Sequence, residues 1–219
     1  MKCGVDQPWS RGGVIYESLS GQGPKPGYAL AWERDLSQEW DPEQWYSTMT
    51  RAYKGVLNVA LIEASLKVIT RWYLVPERLH QCFPSSSPLC FRDCSHRGSF
   101  LHVWWECPKI RGFWNRVFHL IRKVTGVPVA QSPHVALLNF APAEASKSQK
   151  RLIHFMLLGA KLTIAKAWKS STVSFTLLKR KISWIMTQEK LASSLLNTSQ
   201  KFEITWEPWA KYTNTSLIF

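Results

Sequence analysis

Aspartate is scarce in this chain: only Asp6, Asp35, Asp41 and Asp93 occur, and no two are adjacent. Metal-dependent polymerases hold two magnesium ions on clustered carboxylates, so no polymerase palm is expected here. There is no Walker loop, and the one Gly-rich run, GQGPKPG, lacks the preceding strand and following helix that a dinucleotide loop needs. Long apolar runs are missing as well. The best, 155–167, is interrupted by Lys161 and Lys166 and falls short of the roughly 20 residues of a membrane span. No apolar signal peptide opens the sequence, and five cysteines, four of them between residues 82 and 107, fit a reducing compartment better than a disulfide framework. The expectation is an intracellular protein, in cytoplasm or nucleus, with no membrane association, no small-molecule substrate and no catalysis of its own.

Acid is nearly absent from one long stretch. Residues 1–107 hold 11 Lys and Arg against 11 Asp and Glu, and residues 189–219 hold 3 against 3. Residues 108–188 hold 14 against the single Glu144, so the whole net charge of +13 arises there. A field so concentrated favours a polyanion, and nucleic acid is the commonest one inside cells; the plainer alternative is a solvated basic surface that serves solubility. The candidate contacts are Arg111, Arg116, Arg122 and Lys123, then Lys147, Lys150, Arg151 and Lys161, then Lys179, Arg180 and Lys181. Among 12 tryptophans, Trp104, Trp105 and Trp184 lie near these and can stack on unpaired bases if exposed, although core packing is the better assignment for Trp105.

What is present in strength is the stretch CFRDCSHRGSFLHVWWEC, which sets Cys90, Cys94, His102 and Cys107 in a Cys-x3-Cys-x7-His-x4-Cys order. Three thiolates and one imidazole suit a tetrahedral structural zinc with no open position for substrate. Buried cysteines with a core histidine are the alternative, and His96 and Cys82 are spare candidates that fit the paired pattern less well.

The same stretch resembles the zinc-binding C-terminal region of LINE-type (non-long-terminal-repeat) retrotransposon reverse transcriptases. The resemblance rests on CFRDC, GSFLHVWWECP and the aromatic pair Phe113 and Trp114. It extends in order to AWERDL (Ala31–Leu36) and TRWYLVPERLH (Thr70–His80) upstream, and downstream to LTIAKAWKS (Leu162–Ser170) and ITWEPWAKY (Ile204–Tyr212), which resemble that region's closing helices. It implies a fragment without polymerase or endonuclease domains that binds the element's RNA and supports its polymerase complex. A structural or protein-docking domain, or a truncated retroelement remnant, is the alternative.

The fold expected is mainly α, a helical domain organised around the small Cys3His loop. Its segments are a disordered leader over 1–27, an N-terminal helical segment over 28–88, the zinc loop over 89–108, a basic helical region over 109–212 and a tail over 213–219. Asp41 and Pro42 start a helix through Tyr53, a second runs from Val59 towards Trp72, and Pro76 starts a short turn through His80. A helix after the zinc loop stops at Gly126, with 135–140 expected as a short strand or extended segment. Ser146 caps a helix to about Lys169 that sets Lys147, Arg151, His154, Lys161 and Lys169 opposite its apolar face. Thr172 caps another through Asn197, and the closing FEITWEPWAKY reads as a short strand or final turn.

Overall fold

A computed structural model describes residues 25–217, and these fold into nine α-helices with one π-helical turn. No strand occurs among the described residues; the sole β-type pairing is an antiparallel bridge between Leu89 and Arg97. The helices are α1 (Gly27–Leu36), α2 (Pro42–Tyr53), α3 (Val59–Ile69), α4 (Pro76–Cys82), α5 (Pro108–Thr125), α6 (Pro133–Leu138), α7 (Lys147–Lys166), α8 (Phe175–Leu195) and α9 (Ser199–Thr213), with the π turn at His102–Glu106. Of the leader, only residues 25–27 lie within the described part.

Local chemistry fixes most boundaries. Asp41 caps α2 in a reciprocal box with Gln44, and Pro42 occupies the first turn, where its missing N–H costs nothing. Ser146 and Gln149 repeat the box at α7. Gly126, at φ 70°, ends α5 in the left-handed conformation, and Asn139, at φ 60°, does the same for α6.

Helix α7 is the axis of the molecule. From Leu152 to Ile164 nearly every residue is buried, and α3, α5, α6, α8 and α9 all pack on it. It packs tightly on α8 at Gly159, where a Cβ would stand 2.9 Å from the Ile182 side chain. Phe155 stacks on Trp206 of α9 with ring centroids 5.1 Å apart, a contact that adds about 0.5–1.5 kcal/mol to simple burial. The buried apolar side chains form one cluster from Ala29 to Trp209.

Five expected elements differ, α7 among them, because it ends at Lys166 and leaves Lys169 beyond the helix. Residues 135–140 are not extended: Ser132 accepts from the Val135 amide and Pro133 opens the short helix α6. Ser174, not Thr172, caps α8, which ends at Leu195. Helix α3 stops at Ile69, before Trp72. The closing segment is helical, because Phe202, Thr205, Trp206, Trp209 and Ala210 bury a stripe at helical spacing that outweighs the missing N–H of Pro208.

Candidate metal centre and basic face

The loop that carries the first two cysteines is a clasped hairpin. The Cys90 amide donates to the His96 carbonyl at 2.9 Å and the Gly98 amide to the Pro88 carbonyl at 2.8 Å. Between these clasps Asp93 and Ser95 adopt left-handed backbone, at φ 52° and 62°. The turns aim the Arg92 amide at the Cys90 sulfur and the His96 amide at the Cys94 sulfur. Backbone donors of this kind favour the thiolate, the form that binds metal.

His102 and Cys107 are brought together by the π turn. Five residues along an α-helix at about 100° each would point the two side chains to different faces. Here the Cys107 amide donates to the His102 carbonyl, five residues back, at 2.9 Å, and the wider turn returns Cys107 to the same side. Ser99 accepts from the His102 amide at 3.1 Å, and Pro108 opens α5 directly afterwards. Beneath the turn Trp104 packs on Tyr73 and Trp168, with centroids 5.0 and 5.3 Å away.

All four ligand atoms lie within 4.8 Å of one another. Sulfur–sulfur separations are 3.9 Å for Cys90 and Cys107 and 3.7 Å for Cys94 and Cys107, and the Cys94 sulfur is 3.2 Å from His102 Nε2. A tetrahedral ion with bonds of about 2.3 Å to sulfur and 2.0 Å to nitrogen sets its edges at about 3.8 and 3.5 Å. The set therefore fits such an ion, whereas a disulfide needs sulfurs about 2.05 Å apart. Burial pushes the Cys90 thiol up to about 11, against the pull of the Arg92 amide. At Cys94, burial raises the pKa but the His96 amide and neighbouring thiols outweigh it, leaving it below the ordinary value. Burial, with the charges of His96 and Arg92, holds His102 low and keeps its imidazole in the neutral, ligating form. Cys82 stays outside the cluster; His96 stacks on His102, with centroids 5.5 Å apart, and its Nδ1 lies 2.6 Å from the Cys94 carbonyl oxygen.

No family model matches this chain. No helix among the described residues is long and apolar enough to cross a membrane.

Most of the candidate basic residues reach the surface, but Lys161 and Arg151 are engaged within the fold. Arg111, Arg116, Arg122, Lys123, Lys147 and Arg180 are exposed, and Lys150, Lys179 and Lys181 are half-buried. Lys161 is only 1% exposed; its ammonium donates to the Asn139 side-chain oxygen at 2.6 Å, inside the core. Arg151 is tied to buried Glu189 at 3.1 Å and its stem lies 3.6 Å from where a Cβ on Gly55 would be. The His154 ring nitrogen Nε2 is also buried. The supposed basic stripe of α7 is thus interrupted at its centre, because this helix is enclosed by neighbours on nearly every side.

A different grouping emerges where α5, α8 and α9 meet. The Arg116 guanidinium lies 4.1 Å from the centroid of the Phe175 ring, and Lys179 lies 5.8 Å from Phe175 and 5.2 Å from Tyr212. Lys123 approaches the Tyr212 ring at 5.5 Å. Beside it a groove of about 430 Å³ runs between Lys123, Glu207, Pro208, Lys211 and Tyr212. Phe175 and Tyr212 were not legible as interface residues, since no periodicity links α8 and α9 to α5. The tryptophans divide: Trp104 is fully buried, Trp105 packs on Trp114 with centroids 5.5 Å apart, and Trp184 is 42% exposed beneath Lys181.

Proposed function

We propose that this chain is a non-catalytic module in which a zinc ion closes the Cys90, Cys94, His102 and Cys107 loop and the α5–α8–α9 junction binds single-stranded RNA. Bound there, zinc supplies folding energy and no reactive position. The observation that carries the RNA reading is the convergence of Arg116, Lys123 and Lys179, all from the chain's strongly basic stretch, on the rings of Phe175 and Tyr212. Cations neutralise backbone phosphates, and rings beside them accept unpaired bases without reading sequence. The resemblance to the C-terminal region of LINE-type reverse transcriptases supports RNA as the polyanion and a retroelement polymerase complex as its setting.

A gel-shift comparison of single-stranded RNA, single-stranded DNA and duplex DNA tests this directly. Retention is expected to be strongest for single-stranded RNA and to fall steeply with salt. Failure to retain any nucleic acid at low salt would refute the RNA assignment.

One observation favours a docking role instead. The outward face of α8 presents Trp184, Leu191 and Leu195 at helical spacing, opposite its buried Ile182, Ile185 and Glu189. Its exposed or half-exposed charged residues, Lys179, Arg180, Lys181 and Lys190, are all basic, so an acidic amphipathic helix is the matching partner. Replacement of Leu191 and Leu195 by Ser discriminates: RNA affinity is unchanged if the junction binds RNA, and only protein docking suffers.

A further inference from the structure

Arg92 sits at the turn of the cysteine hairpin, between Cys90 and Cys94, and its side chain is 0% exposed. Burial of a guanidinium is costly unless its charge is matched and its donors are used. Here one donor is used: Nη1 bonds the Val103 carbonyl at 2.9 Å, next to His102. Nε and Nη2 are buried and without a partner. The nearest carboxylates in sequence, Asp93 and Glu106, are exposed, and Glu77 is engaged by Arg97 at 2.6 Å. The side chain thus runs from the residue two past one ligand to the residue beside another, and places an unmatched positive charge against the cluster.

Three thiolates, one neutral imidazole and a divalent ion together carry a single negative charge. We infer that Arg92 is the charge partner of the metal-loaded centre, which makes that centre complete only with a divalent cation bound. A monovalent ion in the same ligand set would leave a second negative charge unmatched. A trivalent ion would leave Arg92 unmatched again. The inference rests on the metal-binding reading above and adds to it a residue that tunes the metal without touching it. Partners of this kind typically change metal affinity by about 10–100-fold when removed.

The test uses the full chain, stripped with a chelator and titrated with zinc against a chromophoric competitor, for wild type, Arg92→Met and Arg92→Lys. Arg92→Met is expected to bind zinc about 10–100-fold more weakly. Arg92→Lys, which keeps the charge, is expected to stay close to wild type. Cobalt spectra should show the same tetrahedral bands in all three, because the ligands are untouched. Metal-free Arg92→Met should melt no lower than metal-free wild type, since a purely structural arginine would cost stability in both states. Wild-type zinc affinity in Arg92→Met overturns the inference and leaves the metal centre standing. So does a folded Arg92→Lys variant that binds zinc about 10–100-fold more weakly than wild type, a comparison with wild type that also decides the matter if Arg92→Met does not fold. A wild type that binds no divalent metal overturns the centre itself.

Discussion

The Lys161 ammonium donates to the Asn139 side-chain oxygen at 2.6 Å, and the Asn139 amide in turn donates to the Ser65 hydroxyl at 3.2 Å. This chain of bonds ties the left-handed end of α6 to α7 and α3. It explains why a lysine lies in the most buried helix of the molecule. Replacement of Lys161 by Ala removes both the donor and the packed stem, and should destabilise the fold by about 2–5 kcal/mol in urea unfolding.

Burial lowers the Lys161 pKa to about 7, from an ordinary value of 10.5. Between those values the unfolded chain binds the proton and the folded chain does not, so this residue's contribution to stability rises with pH over that window. Urea unfolding of wild type at several pH values from neutral to moderately alkaline should show the rise. In Lys161→Met that component should vanish, leaving only what other groups contribute.

Glu189 joins distant parts of the chain. Its carboxylate accepts from the Leu57 amide at 3.0 Å, the Asn58 amide at 3.3 Å and the Arg151 guanidinium at 3.1 Å. Glu189→Ala would strand a half-buried arginine and should cost about 3–5 kcal/mol, measured by chemical denaturation. Glu189→Gln keeps an oxygen for the amides and should cost less.

The helical class and the Cys3His cluster were legible because each is written locally. Asp41 with Gln44, Ser146 with Gln149 and the glycine at 126 mark ends by side-chain and backbone chemistry alone. The four ligands are recognisable by type and spacing, although the π turn that makes a five-residue separation work leaves no sequence mark. The environment of α7 was not legible. Its Lys and Arg spacing suits a solvated stripe, and only the packing of α3, α6 and α8 around it reveals that Lys161 and Arg151 face protein.

Gly98 of the cysteine hairpin rests on the first residue of α4, and a Cβ on it would lie 2.6 Å from the Pro76 ring. Gly98→Ala must push the hairpin off α4, and should lower stability by about 1–3 kcal/mol in thermal or chemical unfolding. Gly112, in the middle of α5, has nothing within 4 Å of its Cβ position. Its replacement by Ala should stabilise by about 0.4–1 kcal/mol.

Protein purified without chelator is expected to carry one zinc per chain by elemental analysis. Ser at Cys90, Cys94 or Cys107, or Ala at His102, should abolish that content and loosen the hairpin, seen as rapid amide exchange over residues 88–107. Full protection of this segment in a metal-free quadruple variant would show that the cluster packs as ordinary core.

The salt dependence of RNA binding probes the junction most directly. Fluorescence anisotropy with labelled single-stranded RNA would be recorded across a salt series for wild type and for Arg116→Ala, Lys123→Ala and Lys179→Ala combined. Removing one phosphate-neutralising cation should reduce the slope of log affinity against log salt by about 0.7, so the triple variant should have a slope shallower by about 2 and bind more weakly on every sequence. Circular dichroism should show its helices intact, since the three charged groups lie over ring faces and outside the core cluster. A folded triple variant with wild-type affinity and slope would contradict RNA binding at the α5–α8–α9 junction.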